Sequence, residues 1–356
     1  MVNQYESPDV SNGQEFENAN SDNKHHVDDD VLLVILLTVP PITVQNMALV
    51  CKDWARVARI DRNRAVHAEV SRVLTMGRKV SNRLCIACPH IDLHSLKMGP
   101  ILLEDAFESC FDLESIICPK TLQTFGYAVF QNCFALTSAK LPDSLQTIGY
   151  GAFQNCTSLT SVQLPGGLQI IHSHAFYGCT SLESVSLPDV LNTIGCDAFG
   201  LCTALSSITL SQGLNTIQQY AFSNCTALKS IHLHDDLQRN AILEIRAFAF
   251  YNCTALTSVQ LPHALQHIQP YVFYNCMALT SIQLPHALQT IDTCAFAYCE
   301  SLISIKIPQS IVEIGYGAFC NCLKLTSIQL PHTLQTIGDD AFHHCPARII
   351  GSMTVL

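Results

Sequence analysis

A hydrophobic pattern with a fixed period runs through most of the chain. The unit is seen cleanly in residues 279–302 and recurs over residues 93–345. Successive units are 23 residues apart, except that Cys225 and Cys253 are 28 apart because five residues, Arg239–Leu243, are inserted. A fixed period of this length indicates a solenoid. The marker of the period is a cysteine, found at Cys110, Cys133, Cys156, Cys179, Cys202, Cys225, Cys253, Cys276, Cys299, Cys322 and Cys345.

Each unit predicts two short strands. In the segment LTSVQLP, residues 159–165, apolar Val162 is followed by polar Gln163 and then by another leucine. This alternation predicts a strand with one buried face. Pro165 ends the strand because proline has no N–H to donate to a β ladder. The Leu-x-x-Ile that follows in most units, as in Leu145–Ile148, predicts a second buried edge.

The second half of each unit predicts a turn. Ala-Phe-x-x-Cys places Ala152 and Cys156 four residues apart, which predicts one helical turn with both side chains on one side. The serine that recurs in Leu-Thr-Ser predicts a ladder of hydroxyls that satisfies backbone groups between coils. These serines are Ser115, Ser138, Ser161, Ser184, Ser207, Ser230, Ser258, Ser281, Ser304 and Ser327.

One such coil cannot bury its own leucines, isoleucines and phenylalanines. Stacked coils bury them in a continuous core, with strands about 4.8 Å apart and about 1.5–3 kcal/mol gained for each large apolar side chain. We therefore expect an α+β protein whose main part is a solenoid of about ten 23-residue coils. The pattern resembles the leucine-rich repeat of the BspA type over roughly 250 residues. The resemblance implies a non-catalytic binding protein.

Residues 27–60 predict a compact helical module. A short apolar helix ends at Pro40-Pro41, and a second helix leads to the chain's single tryptophan, Trp54. The module resembles an F-box through its leucine face, its proline and the run Val-Cys-Lys-x-Trp, although Val27-Asp28 replaces the usual Leu-Pro opening. The resemblance implies docking on a Skp1-like adaptor through Leu32, Leu33, Ile35, Leu36, Pro40, Pro41, Val50, Cys51 and Trp54. A helical cap for the open end of the solenoid is the alternative.

Charge is unevenly distributed along the chain, and its distribution helps to assign the remaining regions. Residues 1–26 are polar and acidic and predict a disordered tail. Residues 61–91 begin with a run rich in arginine and predict a basic helical linker or N-terminal cap, and residues 92–356 predict the solenoid with a C-terminal cap. The basic run has no interleaved aromatic residues and the chain carries a net charge of −10, so we expect no nucleic-acid partner.

The beginning of the sequence also predicts the compartment. It is polar rather than apolar, and the apolar run Val31–Val39 is too short to span a bilayer, so we expect a cytoplasmic or nuclear protein without a membrane partner. In a reducing compartment the repeated cysteines act as small buried hydrophobes. Disulfides between stacked coils are the alternative.

The polar positions of the main strand predict a surface that binds an unknown protein target. Packing does not fix these side chains, because they point away from the core. The predicted target-binding face consists of Glu114, Lys140, Gln163, Glu183, Lys229, His232, Gln260, Gln283, Lys306 and Gln329.

The sequence pattern supports metal-binding or catalytic residues only weakly. Cys85 and Cys88 with His90 and His94 have a spacing that can bind zinc, or they belong to an incomplete first coil. The three histidines of the Leu-Pro-His turns, His263, His286 and His332, could bind a metal or are exposed turn residues. We expect no metal, no cofactor and no catalytic residue, because a cysteine repeated for packing lacks the base and the electropositive surroundings of a nucleophile.

These patterns predict a protein-interaction protein. Our first hypothesis is a substrate-recruiting adaptor of a Skp1–cullin type ubiquitin ligase, with the helical module holding the ligase and the solenoid holding the target. The alternative is a BspA-like binding or adhesion scaffold without a role in ubiquitin transfer.

Overall fold

A computed structural model describes residues 62–210, 213–232 and 244–350. The chain divides into two compact units, Met1–Arg59 and Ile60–Leu356, and the described residues all belong to the second. The predicted tail and F-box-like module therefore lie outside the described residues. In the described part no helix has the length and apolar character needed to cross a membrane.

Two helices open the described part. Helix α1 spans Arg62–Thr75 and helix α2 spans Asn82–Ala87. Val66, Val70 and Leu74, four residues apart along α1, are buried on one face. The segment after α1 contacts the first complete coil, where the Val80 amide donates to the Ala106 carbonyl over 2.7 Å. Residues 62–87 thus lie at the N-terminal end of the solenoid, and the role of residues 61–91 as a linker or cap stays a prediction.

The first series of strands follows the predicted Ser-Ile-Gln positions. In each three-residue strand with burial described at every position, the central side chain is buried and the outer two are more exposed, except in the last strand. Except between β5 and β7 and between β15 and β17, these strands pair in parallel with the equivalent strand of the next coil. They are β1 His90–Asp92, β3 Ser115–Ile117, β5 Ser138–Lys140, β7 Ser161–Gln163, β9 Ser184–Ser186, β11 Ser207–Thr209, β13 Ser230–His232, β15 Ser258–Gln260, β17 Ser281–Ile282, β19 Ser304–Lys306, β21 Ser327–Gln329 and β23 Arg348–Ile350.

The second series lies at the predicted Leu-x-x-Ile positions. Each of its strands is two residues long, and it too pairs in parallel with its equivalent in a neighbouring coil. The strands are β2 Ile101–Leu102, β4 Thr124–Phe125, β6 Thr147–Ile148, β8 Ile170–Ile171, β10 Thr193–Ile194, β12 Thr216–Ile217, β14 Glu244–Ile245, β16 His267–Ile268, β18 Thr290–Ile291, β20 Glu313–Ile314 and β22 Thr336–Ile337. The solenoid is confirmed, with about eleven coils where the sequence predicted about ten.

The core between the two series is a column of stacked phenylalanines. The rings of Phe153 and Phe176 lie 5.2 Å apart with only 2° between their planes. The same stacking continues from Phe107 to Phe342. Because each ring is covered by the coil before and the coil after it, the core is one-dimensional, and no coil buries its aromatic residue alone.

The turn around Ala-Phe-x-x-Cys is not the predicted helical turn. The Cys156 amide donates to the Phe153 carbonyl, three residues back, over 3.1 Å. Gly151 and Asn155 have φ angles of 61° and 58°, in the left-handed region that glycine and asparagine tolerate best. Ala152 and Cys156 are both buried as expected. The four-residue spacing of Ala152 and Cys156 is compatible with a helical turn and with the observed turn. The left-handed residues distinguish the two geometries.

Side-chain ladders join the coils, but the strand serines do not form them. The serines of the first series are mostly exposed. Threonine hydroxyls bond the carbonyl of the preceding coil instead, as from Thr137 to Glu114 over 3.0 Å. Asparagine side chains bond each other, as from Asn275 to Asn252 over 2.7 Å. The cause is position: the strand serine points outward, whereas Thr137 lies just before β5 and Asn275 lies in a turn, each next to the equivalent part of the preceding coil.

The last described coil ends in β23, which pairs with β21. Ile349 and Ile350 of this strand are half-exposed. Residues 351–356, the rest of the predicted C-terminal cap, lie outside the described part.

Candidate functional site

The outward positions of the first strand series form the candidate surface. Parallel pairing in register places equivalent side chains directly beside each other, as Thr209 lies between Ser186 and His232. Successive side chains of a strand point to opposite faces, so a buried isoleucine fixes its polar neighbours outward. The structure therefore brings most of the predicted target-binding residues into one column at the third strand position, with Glu114, Glu183 and Lys229 in a second column just before the strands.

Nine of the ten predicted target-binding residues are exposed on this column or beside it. The tenth, His232, has its backbone in register between Thr209 and Gln260, and its side chain lies outside the described part. The predicted adaptor-binding residues, from Leu32 to Trp54, also lie outside it. The binding roles of both sets remain predictions.

Charge along this face changes from one end to the other. The N-terminal coils carry Glu114 and Glu183, and the Glu114 carboxylate lies 3.7 Å from the exposed imidazole of His90. The C-terminal coils carry Lys306 and no carboxylate at the equivalent strand positions. Lys306 is exposed and forms no ion pair with the described residues. Exposed charges contribute little to stability, so this distribution is free to serve recognition.

Each strand series is interrupted at one side of the coil that contains β15 and β16. The first series passes from β15 to β17 only through a single bridge between Gln260 and Gln283, and the second series stops at β14 and restarts at β16. The first series is also interrupted between β5 and β7, where the second is continuous. The second-series interruption comes directly after the coil that is lengthened by five residues, and the first-series interruption comes one coil later.

Two adjoining cavities lie beside the first-series interruption between β15 and β17, with volumes of about 360 Å³ and 670 Å³. Both are lined by the ends of the first-series strands and by the Leu-Pro turns that follow. They share Gln283, Leu284 and His286. Sequence reasoning predicted the exposed glutamines but not the cavities. The 28-residue interval between Cys225 and Cys253 is the one signal in the sequence that points to this place.

The histidines of the Leu-Pro-His turns do not form a metal site. His263 and His286 line the first cavity, and His286 lines the second. No group of three or more His, Cys, Asp or Glu residues in the described part is arranged to hold a metal ion.

The other candidate metal ligands belong to the first, incomplete coil. Cys85 and Cys88 are buried, while His90 begins β1 and pairs with Ser115 of the next coil. The Cys88 thiol donates to the His90 carbonyl over 3.0 Å. This contact fits the interpretation of an incomplete coil.

The repeated cysteines from Cys133 to Cys322 are buried donors, whereas Cys345 is partly buried and its hydrogen bond with the Cys322 thiol lowers its pKa. Each thiol of the column from Cys133 to Cys345 donates to the carbonyl of the phenylalanine in the preceding coil, over 2.8–3.4 Å. Burial raises the pKa of Cys179 and of Cys253 to about 12. A thiol with so high a pKa is protonated at neutral pH, which removes the reactive thiolate.

Comparison with known proteins identifies both parts of the chain. The profile of the BspA type leucine rich repeat region matches residues 100–229 and 236–349, and the F-box domain profile matches residues 26–65. No curated protein matches the chain significantly.

Solved structures of leucine-rich repeat proteins resemble the solenoid. A leucine-rich repeat protein from Bacteroides ovatus is 25% identical with a TM-score of 0.50, covering 71% of this chain and 78% of that one. The T. pallidum leucine rich repeat protein is 26% identical with a TM-score of 0.42, covering 53% of this chain and 77% of that one. The repeat profile matches more than half of the chain, so the protein belongs to the BspA-type leucine-rich repeat family and carries an F-box domain at residues 26–65.

Proposed function

We propose that the chain is a substrate-recruiting adaptor of a Skp1–cullin type ubiquitin ligase, acting in the cytoplasm or the nucleus. One observation carries the proposal: an F-box domain and a long exposed β face belong to the same chain. F-box domains generally bind Skp1-like adaptors, and the matched repeat is an interaction module. The protein then contributes no bond-making chemistry. It raises the effective concentration of a target near the ligase.

We infer that the chain binds the Skp1-like adaptor mainly through apolar side chains. The side chains assigned to it are large and apolar for the most part, and they come from two predicted helices and a Pro-Pro turn. A few such side chains in partner pockets supply most of the binding energy of an interface. The assigned residues are Leu32, Leu33, Ile35, Leu36, Pro40, Pro41, Val50, Cys51 and Trp54.

The target side rests on the exposed strand positions. Their backbone is held by parallel pairing and by the phenylalanine column behind it, so their side chains are presented on a rigid support. Glu114, Lys140, Glu183, Lys229 and Lys306 supply charges that distinguish one target from another.

Recovery of a Skp1-like adaptor by the tagged full chain tests the proposal. We expect wild type to recover it and the double variant Leu36→Ala/Trp54→Ala to lose at least about tenfold in recovery, because two central anchors are removed. Lys140→Gln is the matched control, since it alters an exposed solenoid residue and should leave recovery unchanged. The proposal is wrong if wild type recovers no adaptor or if the double variant recovers as much as wild type.

The alternative, a binding or adhesion scaffold without a ligase role, makes a different prediction about thiols. It expects oxidised cysteines, whereas the thiol-to-carbonyl hydrogen bonds of the column require reduced ones. Counting free thiols in the protein isolated under alkylating conditions separates the two. The adaptor predicts that all 18 cysteines are reduced, and the scaffold predicts paired cysteines.

A further inference from the structure

The two adjoining cavities form one groove across three successive coils. The first is lined from β15 and the turn after it, the second from β19 and the turn after it, and Gln283 belongs to both. We call this the strand-end groove. Neighbouring coils are spaced by about 4.8 Å, so three coils span about 10 Å, the length of about three extended residues.

The floor of the strand-end groove is apolar and its rim is polar. Leu261, Leu284 and Ile307 are buried beneath it, with exposed fractions of 5%, 6% and 4%. The rim consists of strand serines and glutamines, including Ser281, Ser304 and Gln260. An apolar floor with convergent hydroxyl and amide groups suits an extended polypeptide, whose backbone needs hydrogen bonds while its apolar side chains need burial.

The charge of the strand-end groove is one-sided. Among the described residues that line it there is no aspartate or glutamate, and Lys306 is the one lysine or arginine. His286 adds an imidazole that can donate a hydrogen bond. An ammonium group without a carboxylate partner attracts an anion from solution, and charge-assisted hydrogen bonds are stronger than neutral ones. The rest of the chain is acidic, with a net charge of −10, which sets this place apart.

We propose that the strand-end groove binds an extended segment of the target protein that carries an anionic side chain, a carboxylate or a phosphate, against Lys306. The apolar side chains of the same segment lie on the floor formed by Leu261, Leu284 and Ile307. This inference rests on the proposed function for the identity of the partner as a target of the ligase. The geometry and the charge of the groove do not depend on that function.

Peptide pools test the inference with the full-length chain. Each pool is a degenerate nine-residue peptide whose central position is fixed as glutamate, phosphoserine, glutamine or lysine. We expect wild type to retain the glutamate or phosphoserine pool about fivefold more than the lysine pool, the size of effect of one favourable charge pair. Equal retention of glutamate and phosphoserine shows that any anion suffices. Preference for phosphoserine alone assigns the anion as a phosphate.

Two variants and a matched control place the preference in the groove. Lys306→Gln should remove the preference for anions, and Gln283→Glu should turn it toward the lysine pool. Lys120→Gln alters an exposed lysine in the turn after the first-series strand of an earlier coil, outside the groove and outside the predicted target-binding face, and should keep the wild-type preference. All three side chains are exposed, so thermal unfolding should be unchanged.

The inference is overturned if wild type shows no preference for anions, if Lys306→Gln keeps it, or if Lys120→Gln loses it equally. Its failure is distinguishable from failure of the proposed function. A chain that recovers the Skp1-like adaptor without preferring anionic peptides refutes the groove alone. A chain that prefers anionic peptides without recovering the adaptor refutes the ligase role alone.

Discussion

The thiol of Cys179 donates a hydrogen bond to the carbonyl oxygen of Phe153, 3.1 Å away in the preceding coil. The same relationship recurs along the column and explains why the position is cysteine rather than alanine. The thiol fills a small apolar space and also satisfies a buried carbonyl group. The same cysteine side chain thus contributes both packing and a hydrogen bond between coils.

Replacing this cysteine should measure both contributions. Cys179→Ala leaves a small cavity and removes the donor, so we expect the free energy of unfolding to fall by about 1–2 kcal/mol. Chemical denaturation measures the loss. Cys196→Ala is the control, because Cys196 is only partly buried, and it should change stability by less than about 0.5 kcal/mol. Equal effects of the two substitutions would show that the column has no special role.

Alkaline pH should destabilise the solenoid. Burial raises the pKa of Cys118, Cys179 and Cys253 to about 12, from an ordinary value near 9. Between these values the folded protein keeps a proton that the unfolded chain has lost. The stabilisation is complete below about pH 9 and is lost as pH rises toward 12, by up to about 1.4 kcal/mol per pH unit for each thiol.

Denaturant titrations at several pH values from 7 to 10.5 check this expectation. Cys179→Ala should show a shallower decline above pH 9 than wild type, because one shifted thiol is absent. A stability that stays constant up to pH 10.5, or an unchanged slope in the variant, contradicts the explanation by buried thiols.

Leu201 occupies a left-handed position that is asparagine in many other coils. Its φ angle is 59°, while Asn155 and Asn252 take the same position with φ angles of 58° and 59°. A left-handed conformation costs an ordinary residue about 1–2 kcal/mol, and asparagine tolerates it. Leu201→Asn should therefore be more stable than Leu201→Ala by about 1–2 kcal/mol, measured by thermal or chemical unfolding. The expectation fails if the alanine variant is as stable as the asparagine variant.

The phenylalanine column should be more sensitive at its centre than at its end. Phe199 stacks on Phe176 and Phe222, whereas Phe342 stacks on Phe319 and is partly exposed. Phe199→Ala should cost about 3–5 kcal/mol, and Phe342→Ala should cost clearly less because less burial is lost. Equal costs measured by denaturant unfolding would contradict the one-dimensional core.

Part of this architecture follows from periodicity alone. The alternation around Val162 and the Leu-x-x-Ile motif predict both strand series, because a buried side chain every second residue is a property of strands. The left-handed turn at Asn155 was not predicted, because Ala-x-x-x-Cys spacing fits a helical turn equally well. The hydrogen bond from Cys179 to Phe153 joins residues 26 apart in sequence, and only the register of stacked coils brings them together.

In the candidate site, too, some features follow from the sequence and others only from the tertiary structure. The exposure of Gln283 and Lys306 follows from their places next to buried strand residues. The strand-end groove depends on where neighbouring strands stop pairing, and the sequence shows this place only through the longer interval before Cys253. Local alternation fixes which side chains point outward, but the shape of the surface between coils depends on tertiary geometry.

The central claim is that one part of the chain holds the ligase while another holds the target. Quantitative mass spectrometry of proteins that co-purify with the tagged full chain tests it most directly, using wild type, Leu36→Ala/Trp54→Ala and Lys306→Gln/Gln283→Glu. We predict that the first variant loses the Skp1-like and cullin subunits but keeps the other partners, while the second keeps these subunits and loses the other partners. Loss of both sets in either variant despite an unchanged thermal unfolding profile, or the absence of ligase subunits from the wild-type sample, would contradict the account.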